Sequence, residues 1–191
     1  MKHDFLQLLE NTNCVGAKTG WIPLHITVSK DNSLLAAMPL YLKSHSQGEF
    51  VFDHSWANAF YQHGLDYYPK LVSSIPHTPA SGPRFLIKEG ENKKELFEMI
   101  KEGVKSIAAK NNISSWHILF PMEEEVDFYD DSNLSIRKNA QFIWFNKNFE
   151  SFEDYISSFR ARHRKNVKKE RDKIKKQDLI LETFSGDNLS Y

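Results

Sequence analysis

Apolar and polar positions alternate along this chain with two different periods, and the changes of period mark its elements. Phe5, Leu8 and Leu9 fall on one helical face between Asp4 and Glu10, and Asp4 with Gln7 three residues later has the form of a capping box. From Trp21 the period drops to two: Ile22, Leu24, Ile26 and Val28 alternate with Pro23, His25, Thr27 and Ser29. Residues 30–33 supply turn chemistry, and residues 34–42 return as a nearly continuous apolar run. The pattern predicts a hairpin whose second arm is a central strand buried on both faces. A polar stretch over 43–48 then leads into a third predicted strand at 49–53.

Pro69, Pro76, Pro79 and Pro83 forbid a helix between Tyr67 and Ile87, so this segment reads as strand interrupted by loop. Asn92 followed by Glu95 predicts a cap for an amphipathic helix to Asn111, with Leu96, Ile100, Val104, Ile107 and Ala108 on the buried stripe. A short buried strand at 115–120, a brief acidic helix at 123–130 and a late strand at 136–146 follow. Ser151 opens a last helix with Phe152, Ile156, Phe159, Val167 and Ile174 on its apolar stripe, and 179–183 starts another strand. Antiparallel strands with one long crossover helix predict an α/β or α+β sandwich around a mixed sheet. No internal repeat is present.

Composition narrows the picture. At 191 residues the chain holds one ordinary domain with a buried core and part of a second, expected at 1–150 and 151–191. No apolar run reaches the length of a membrane span, and the N-terminus has neither a signal core nor a cleavage site, so the expected location is cytoplasmic. The single cysteine, Cys14, reads as a small, at least half-buried side chain. None of the eight histidines sits at the i, i+4 spacing of a helical zinc site, and no metal is expected. The net charge of zero hides an asymmetry: residues 160–176 hold ten Lys or Arg against Glu170 and Asp172, leaving fifteen basic and twenty-three acidic residues elsewhere. An acidic domain is followed by a basic helix.

The block PLYLKSHSQGEFVFD (39–53), with Trp56-Ala57, Tyr67-Tyr68-Pro69-Lys70-Leu71, Pro76-His77-Thr78-Pro79 and Gly82-Pro83-Arg84, resembles bacterial FemAB-like, peptidoglycan-biosynthesis-type acyltransferases of the GNAT superfamily. Phe120 to Glu125, Gln141 to Asn146 and the basic run around Arg164-Lys165-Asn166 extend the resemblance over essentially the whole chain. His77 and Met122 depart from the family's usual residues. The resemblance implies two tandem GNAT-like folds, each a largely antiparallel mixed sheet flanked by helices, with a cleft between them. It implies transfer of an acyl or aminoacyl group to an amine acceptor such as a cell-wall precursor, from aminoacyl-tRNA or acyl-CoA. By the same comparison residues 151–191 open a truncated second domain, completed in a missing segment or a separate gene product, and this chain alone is expected to be inactive.

Acyl transfer to an amine needs a proton acceptor, a donor for the developing oxyanion and a site for the donor's anionic groups. Residues 43–49 offer these in one stretch: His45 and Glu49 as bases, Lys43 as a cation, and Ser44 and Ser46 as hydroxyls. His45 is the better base by ordinary pKa, with Glu49 orienting it, because Glu49 would need burial to titrate near neutrality. The bland alternative is a hydrated hairpin loop. Asp53 with Trp56, Tyr67 and Tyr68 is a candidate acceptor site, although Asp53 can equally cap a turn and the rings can equally be core. Lys70 and Thr78 join the substrate-binding set with the motifs that carry them. Arg84, in a proline-braced loop, is a candidate clamp for a donor phosphate or carboxylate. No QxxGxG pattern precedes the helix at Asn92, which weighs against acetyl-CoA. Arg160, Arg162, Arg164, Lys165, Lys168 and Lys169 make a polyanion footprint for RNA or the solvated face of an interdomain helix. The alternative for the whole chain is a non-catalytic remnant that binds RNA, another polyanion or a protein partner.

Overall fold

In a computed structural model the described residues are 2–140, 142–177, 179–180 and 182–186. The chain divides into two compact units, Met1–Arg137 and Lys138–Tyr191.

The first unit is mixed α+β. It opens with helix α1 (His3–Asn11), capped by Lys2 without a side-chain bond. The expected Asp4–Gln7 capping box does not form; Asp4 lies inside the first turn, where a carboxylate suits the helix dipole. Cys14 is exposed rather than half-buried. Strands β1 (Trp21–Pro23), β2 (Ile26–Lys30), β3 (Ser33–Met38) and β4 (Tyr41–Lys43) follow. Asp31 and Asn32 take positive φ of 50° and 63°, which suits the tight turn of the β2–β3 hairpin and their residue types.

The run 34–42 is therefore two strands in two sheets, not one central strand. Pro39 has no N–H to continue a ladder, and the next amide, Leu40 N, donates to His25 Nδ1 at 3.2 Å instead. Burial also differs along it: Leu34 is 55% exposed, whereas Met38, Leu40 and Tyr41 are buried. After β4 no strand forms at 49–53; helix α2 (His54–Gln62) occupies the next stretch. Strands β5 (Lys70–Ser73) and β6 (Leu86–Ile87) frame the proline-rich loop.

Helix α3 (Lys93–Lys110) begins where its sequence demands. Asn92 Oδ1 accepts from Lys94 N at 3.1 Å and Glu95 N at 3.3 Å. It leads from β6 to β7 (Trp116–Ile118), which pairs parallel to β5, and α4 (Glu123–Asp131) follows. One sheet runs β1-β4-β5-β7 and the other β2-β3-β6, with every pair except β5–β7 antiparallel. Leu96, Phe97, Ile100 and Val104 of α3 close the main core with Ala36, Met38, Leu40, Leu71, Phe85 and Tyr129. Gly103 lets the helix approach β2, since a Cβ there would meet Ile26 Cδ1 at 2.6 Å. All four residues of β5 are buried, Lys70 among them. A charged side chain on the most enclosed strand requires partners.

The second unit contains α5 (Phe152–Ser157), capped by Ser151, whose Oγ accepts from Asp154 N at 3.0 Å, and α6 (Ala161–Lys175). The single expected helix is thus broken, with Arg160 in extended backbone between the two. Tyr155 centres an aromatic cluster with Trp144, Phe149 and Phe159 at ring distances of 5.8, 5.3 and 4.9 Å. The strands expected at 136–146 and 179–183 include Gln141 and Leu181, which lie outside the described residues. The described residues of both segments form no strand.

Candidate functional site

The polar stretch after β4 folds back on the sheet and buries its charges. Lys70 Nζ, projecting from β5, donates to Glu49 Oε2 at 2.8 Å, to Asp53 Oδ2 at 2.5 Å and to Ser46 Oγ at 2.8 Å. Asp53 Oδ2 also accepts from Tyr67 OH at 2.7 Å and Ser46 Oγ at 3.0 Å, and Ser46 Oγ lies 2.7 Å from Tyr68 OH. Lys43, Glu49, Asp53 and Lys70 are each at most 3% exposed. Two cations and two carboxylates leave the cluster formally neutral, and ions so enclosed persist only with such pairing.

Lys43 holds the other end of the loop. Its Nζ sits 3.7 Å from the centroid of the Trp21 ring and donates to Gln47 O at 3.1 Å, and Trp21 Nε1 donates to the same carbonyl at 3.2 Å. Gly48, at φ +78°, leaves room for His77, whose Nδ1 would lie 2.6 Å from a Cβ there. The segment 43–53 is therefore pinned at both ends, by Trp21 and by Lys70.

The charges titrate unequally. Burial raises Glu49 above its ordinary value, and attraction to Lys70 and Lys43 only partly offsets this. Burial also acts to raise Asp53, yet hydrogen bonds from Lys70, Tyr67 and Ser46 outweigh it and hold Asp53 below its ordinary value. Lys43 is pushed down to about 8, chiefly by burial, with Glu49 opposing and Lys70 adding to the shift. Two neighbouring carboxyls with divergent affinities for protons give the site one group suited to accept a proton and one suited to stay ionised. Glu49 Oε1 and Asp53 Oδ1 are buried without hydrogen-bond partners among the described residues, so each offers an unused acceptor.

The structure rearranges several roles expected from sequence. Glu49 does not orient His45: its partner is Lys70, while His45 Nδ1 accepts Gln47 N at 3.2 Å and the His45 ring packs on Gly20, where any Cβ would collide with it. Burial and Lys43 lower the His45 pKa. Arg84 is fully buried and is not an open anion clamp. Its Nε, Nη1 and Nη2 donate to Leu119 O, Gly82 O and Ala80 O at 2.8, 3.0 and 2.6 Å, bracing the proline-rich loop. Thr78 Oγ1 donates to Pro76 O at 3.0 Å within that loop. Ser44 is exposed, and Trp56 on α2 is about half exposed with the Arg137 guanidinium 5.4 Å from its ring. Ser46, Tyr67, Tyr68 and Lys70 join Glu49 and Asp53 in one network, as above.

His117 on β7 was not singled out by sequence. Its Nε2 lies 2.8 Å from Ser115 Oγ and its ring 6.1 Å from that of Tyr67. Burial, with Lys70 and Arg137 adding and Asp53 opposing, pushes its pKa down to about 4, so it is neutral at physiological pH. No local motif marks it, because only the parallel pairing of β5 with β7 brings it beside Lys70.

In the second unit Arg162, Lys165, Lys168 and Lys169 are exposed on α6, Arg160 is exposed at its cap, and Arg164 Nη1 donates to Ser157 O at 3.1 Å. No residue of α6 is buried.

The family model FemAB-like, described as peptidoglycan biosynthesis/recognition, matches residues 1–191, and the chain belongs to that family. No curated protein and no solved structure matches it. Among the described residues no helix is long and apolar enough to cross a membrane.

Proposed function

We propose that this protein is a FemAB-like N-acyltransferase that moves an acyl or aminoacyl group onto an amine, with a peptidoglycan precursor as acceptor. The observation that carries the reading is the family match over residues 1–191. The Glu49–Asp53–Lys70 network supports it chemically. An acceptor amine is protonated at neutral pH and must lose that proton before it attacks a carbonyl. Glu49, raised by burial, is the base of this proposal in place of His45, and Asp53, held ionised, stabilises the ammonium. His45 is a substrate ligand at the mouth of the loop, and Tyr67, Tyr68 and Ser46 keep the carboxylates aimed. Glu49 takes one proton from the ammonium; the neutral nitrogen then attacks the donor carbonyl, the amide C–N bond forms as the ester C–O or thioester C–S bond breaks, and the nitrogen's second proton leaves with the departing oxygen or sulfur.

The test is mass spectrometry of a lysine-containing stem peptide incubated with the full protein and, separately, aminoacyl-tRNA or acyl-CoA. An N-acylated peptide from one donor, reduced about a hundredfold or more by Glu49→Gln, is the expected result. No product from either donor, both with this chain alone and with the second-domain segment or separate gene product that the family resemblance implies added, would overturn the reading, and RNA binding without product would favour the non-catalytic alternative.

A further inference from the structure

Helix α2 lies on the surface of the first unit almost uncovered: within 54–65 only Ala57 is buried and Phe60 half-buried. These residues include no Asp, Glu, Lys or Arg, where an exposed stretch of that length in a soluble protein holds about three or four. Ser55, Asn58, Ala59 and Gln62 recur at i, i+3, i+4 and i+7 and make a neutral outer stripe of small and amide side chains. Trp56 and Tyr61 border it on either side, 49% and 52% exposed, and Phe52, 79% exposed, continues the Trp56 border. Charge reaches the surface only at the two ends. The Arg137 guanidinium lies 5.4 Å from the Trp56 ring and its Nη2 donates to Phe52 O at 3.1 Å, and exposed Asp66 follows the C-terminal end of the helix.

We propose that α2 is a homodimer interface, packing antiparallel against α2 of a second copy about a two-fold axis. Loss of charge together with aromatic rings marks the centre of a protein interface off from ordinary surface. An isologous contact brings the same residues of both copies together, so any charge there repels itself. This face has none to repel. Asn58 and Gln62 each carry donor and acceptor on one amide and can pair with their own counterparts, and the small Ser55 and Ala59 let two helix axes approach to about 8–10 Å, where Trp56 and Tyr61 close over the seam. Antiparallel packing sets the Arg137 end of one helix beside the Asp66 end of the other, so the rim charges are complementary and fix the register. At about 150–250 Å² per ring, the exposed parts of Phe52, Trp56 and Tyr61 give about 300–450 Å² per copy, and with the outer stripe the two faces reach the about 1,000 Å² that a specific interface needs. A bilayer is the poorer occupant, because the outer stripe is polar and no cation on the helix draws an anionic surface. The proposal is independent of the acyl-transfer reading.

Sedimentation velocity of the full protein over a concentration series tests it. A dimer that persists at high salt is expected, because the contact buries neutral surface. Ala59→Arg places a cation from each copy on the seam and should raise the dimer dissociation constant by about tenfold or more, with circular dichroism and melting temperature unchanged. Asp66→Arg and Arg137→Asp should each raise it by about threefold or more, and the two together should restore it, a rescue that damage to the fold would not give. A monomer throughout the series, a dimer indifferent to Ala59→Arg, or one that dissolves in salt, as association through the basic α6 would, overturns the proposal. So does a protein that stays monomeric in solution and pellets with phosphatidylcholine–phosphatidylglycerol vesicles until Ala59→Arg abolishes it, a result that assigns the face to lipid.

Discussion

Lys43 and Lys70 in the first unit and the lysines of α6 in the second are the same side chain used in opposite ways. Lys70 is 1% exposed and is held by two carboxylates and a serine; Lys165, Lys168 and Lys169 stand in water with no residue of their helix buried. Burial makes each charge of the first group dependent on its individual partners, because a lone ion there is poorly solvated. Exposure makes the second group act as a sum, through a potential that salt screens. Single substitutions should therefore be severe in the cluster and mild on α6, and salt should do the reverse.

The largest effect is expected from Lys70→Met, which strands Glu49 and Asp53 without their common donor. Urea unfolding should show a loss of about 3–5 kcal/mol, and adding Glu49→Gln and Asp53→Asn should restore a good part of it. A loss of only a few tenths would mean that the ion pairs do not hold the 43–53 segment.

This contrast was only half legible in the sequence. The basic run needs nothing but counting, and the α3 cap at Asn92 is a local signal that the structure reproduces. Pro39 signals the break in the apolar run 34–42, but its effect is masked in the pattern by hydrophobicity that continues on both sides of it. Trp56, Ala57, Phe60 and Tyr61 have the helical spacing of α2, but the sequence marks Trp56 as a candidate acceptor ligand, which hides the helix face it belongs to. Glu49 and Asp53 were found as candidates, yet their partner Lys70 lies 21 and 17 residues away across a strand pairing that local periodicity does not encode. Arg84 is hidden for the same reason: a buried guanidinium saturated by three backbone carbonyls is indistinguishable in sequence from a free one.

The next effect concerns acid. His117 titrates near 6.5 when unfolded and at about 4 when folded. Between those values the unfolded chain binds the proton and the folded one does not, so stability falls as pH drops from 6.5 towards 4. His117→Gln should flatten that part of a melting-temperature profile. A slope unchanged by the substitution would assign the acid sensitivity to other groups.

Smaller still is the stability response of α6. Lys165→Glu with Lys169→Glu should change unfolding free energy by no more than about 0.5 kcal/mol, as surface substitutions usually do. Raising salt should leave the Lys70 cluster's contribution nearly untouched. A charge reversal on α6 as damaging as Lys70→Met would erase the distinction between the two regions.

The central claim is that burial turns Glu49 into the proton acceptor of an acyl transfer, and the pH dependence of kcat/KM for amine acylation tests it most directly. The rate should rise with pH along a limb centred above the ordinary carboxylate range, because the base works only when deprotonated. Glu49→Gln should remove that limb together with about a hundredfold or more of the rate, whereas His45→Ala should keep the limb and lose mainly in KM. A Glu49→Gln protein with the full rate and the same limb, or a limb that disappears with His45 instead, would contradict the account.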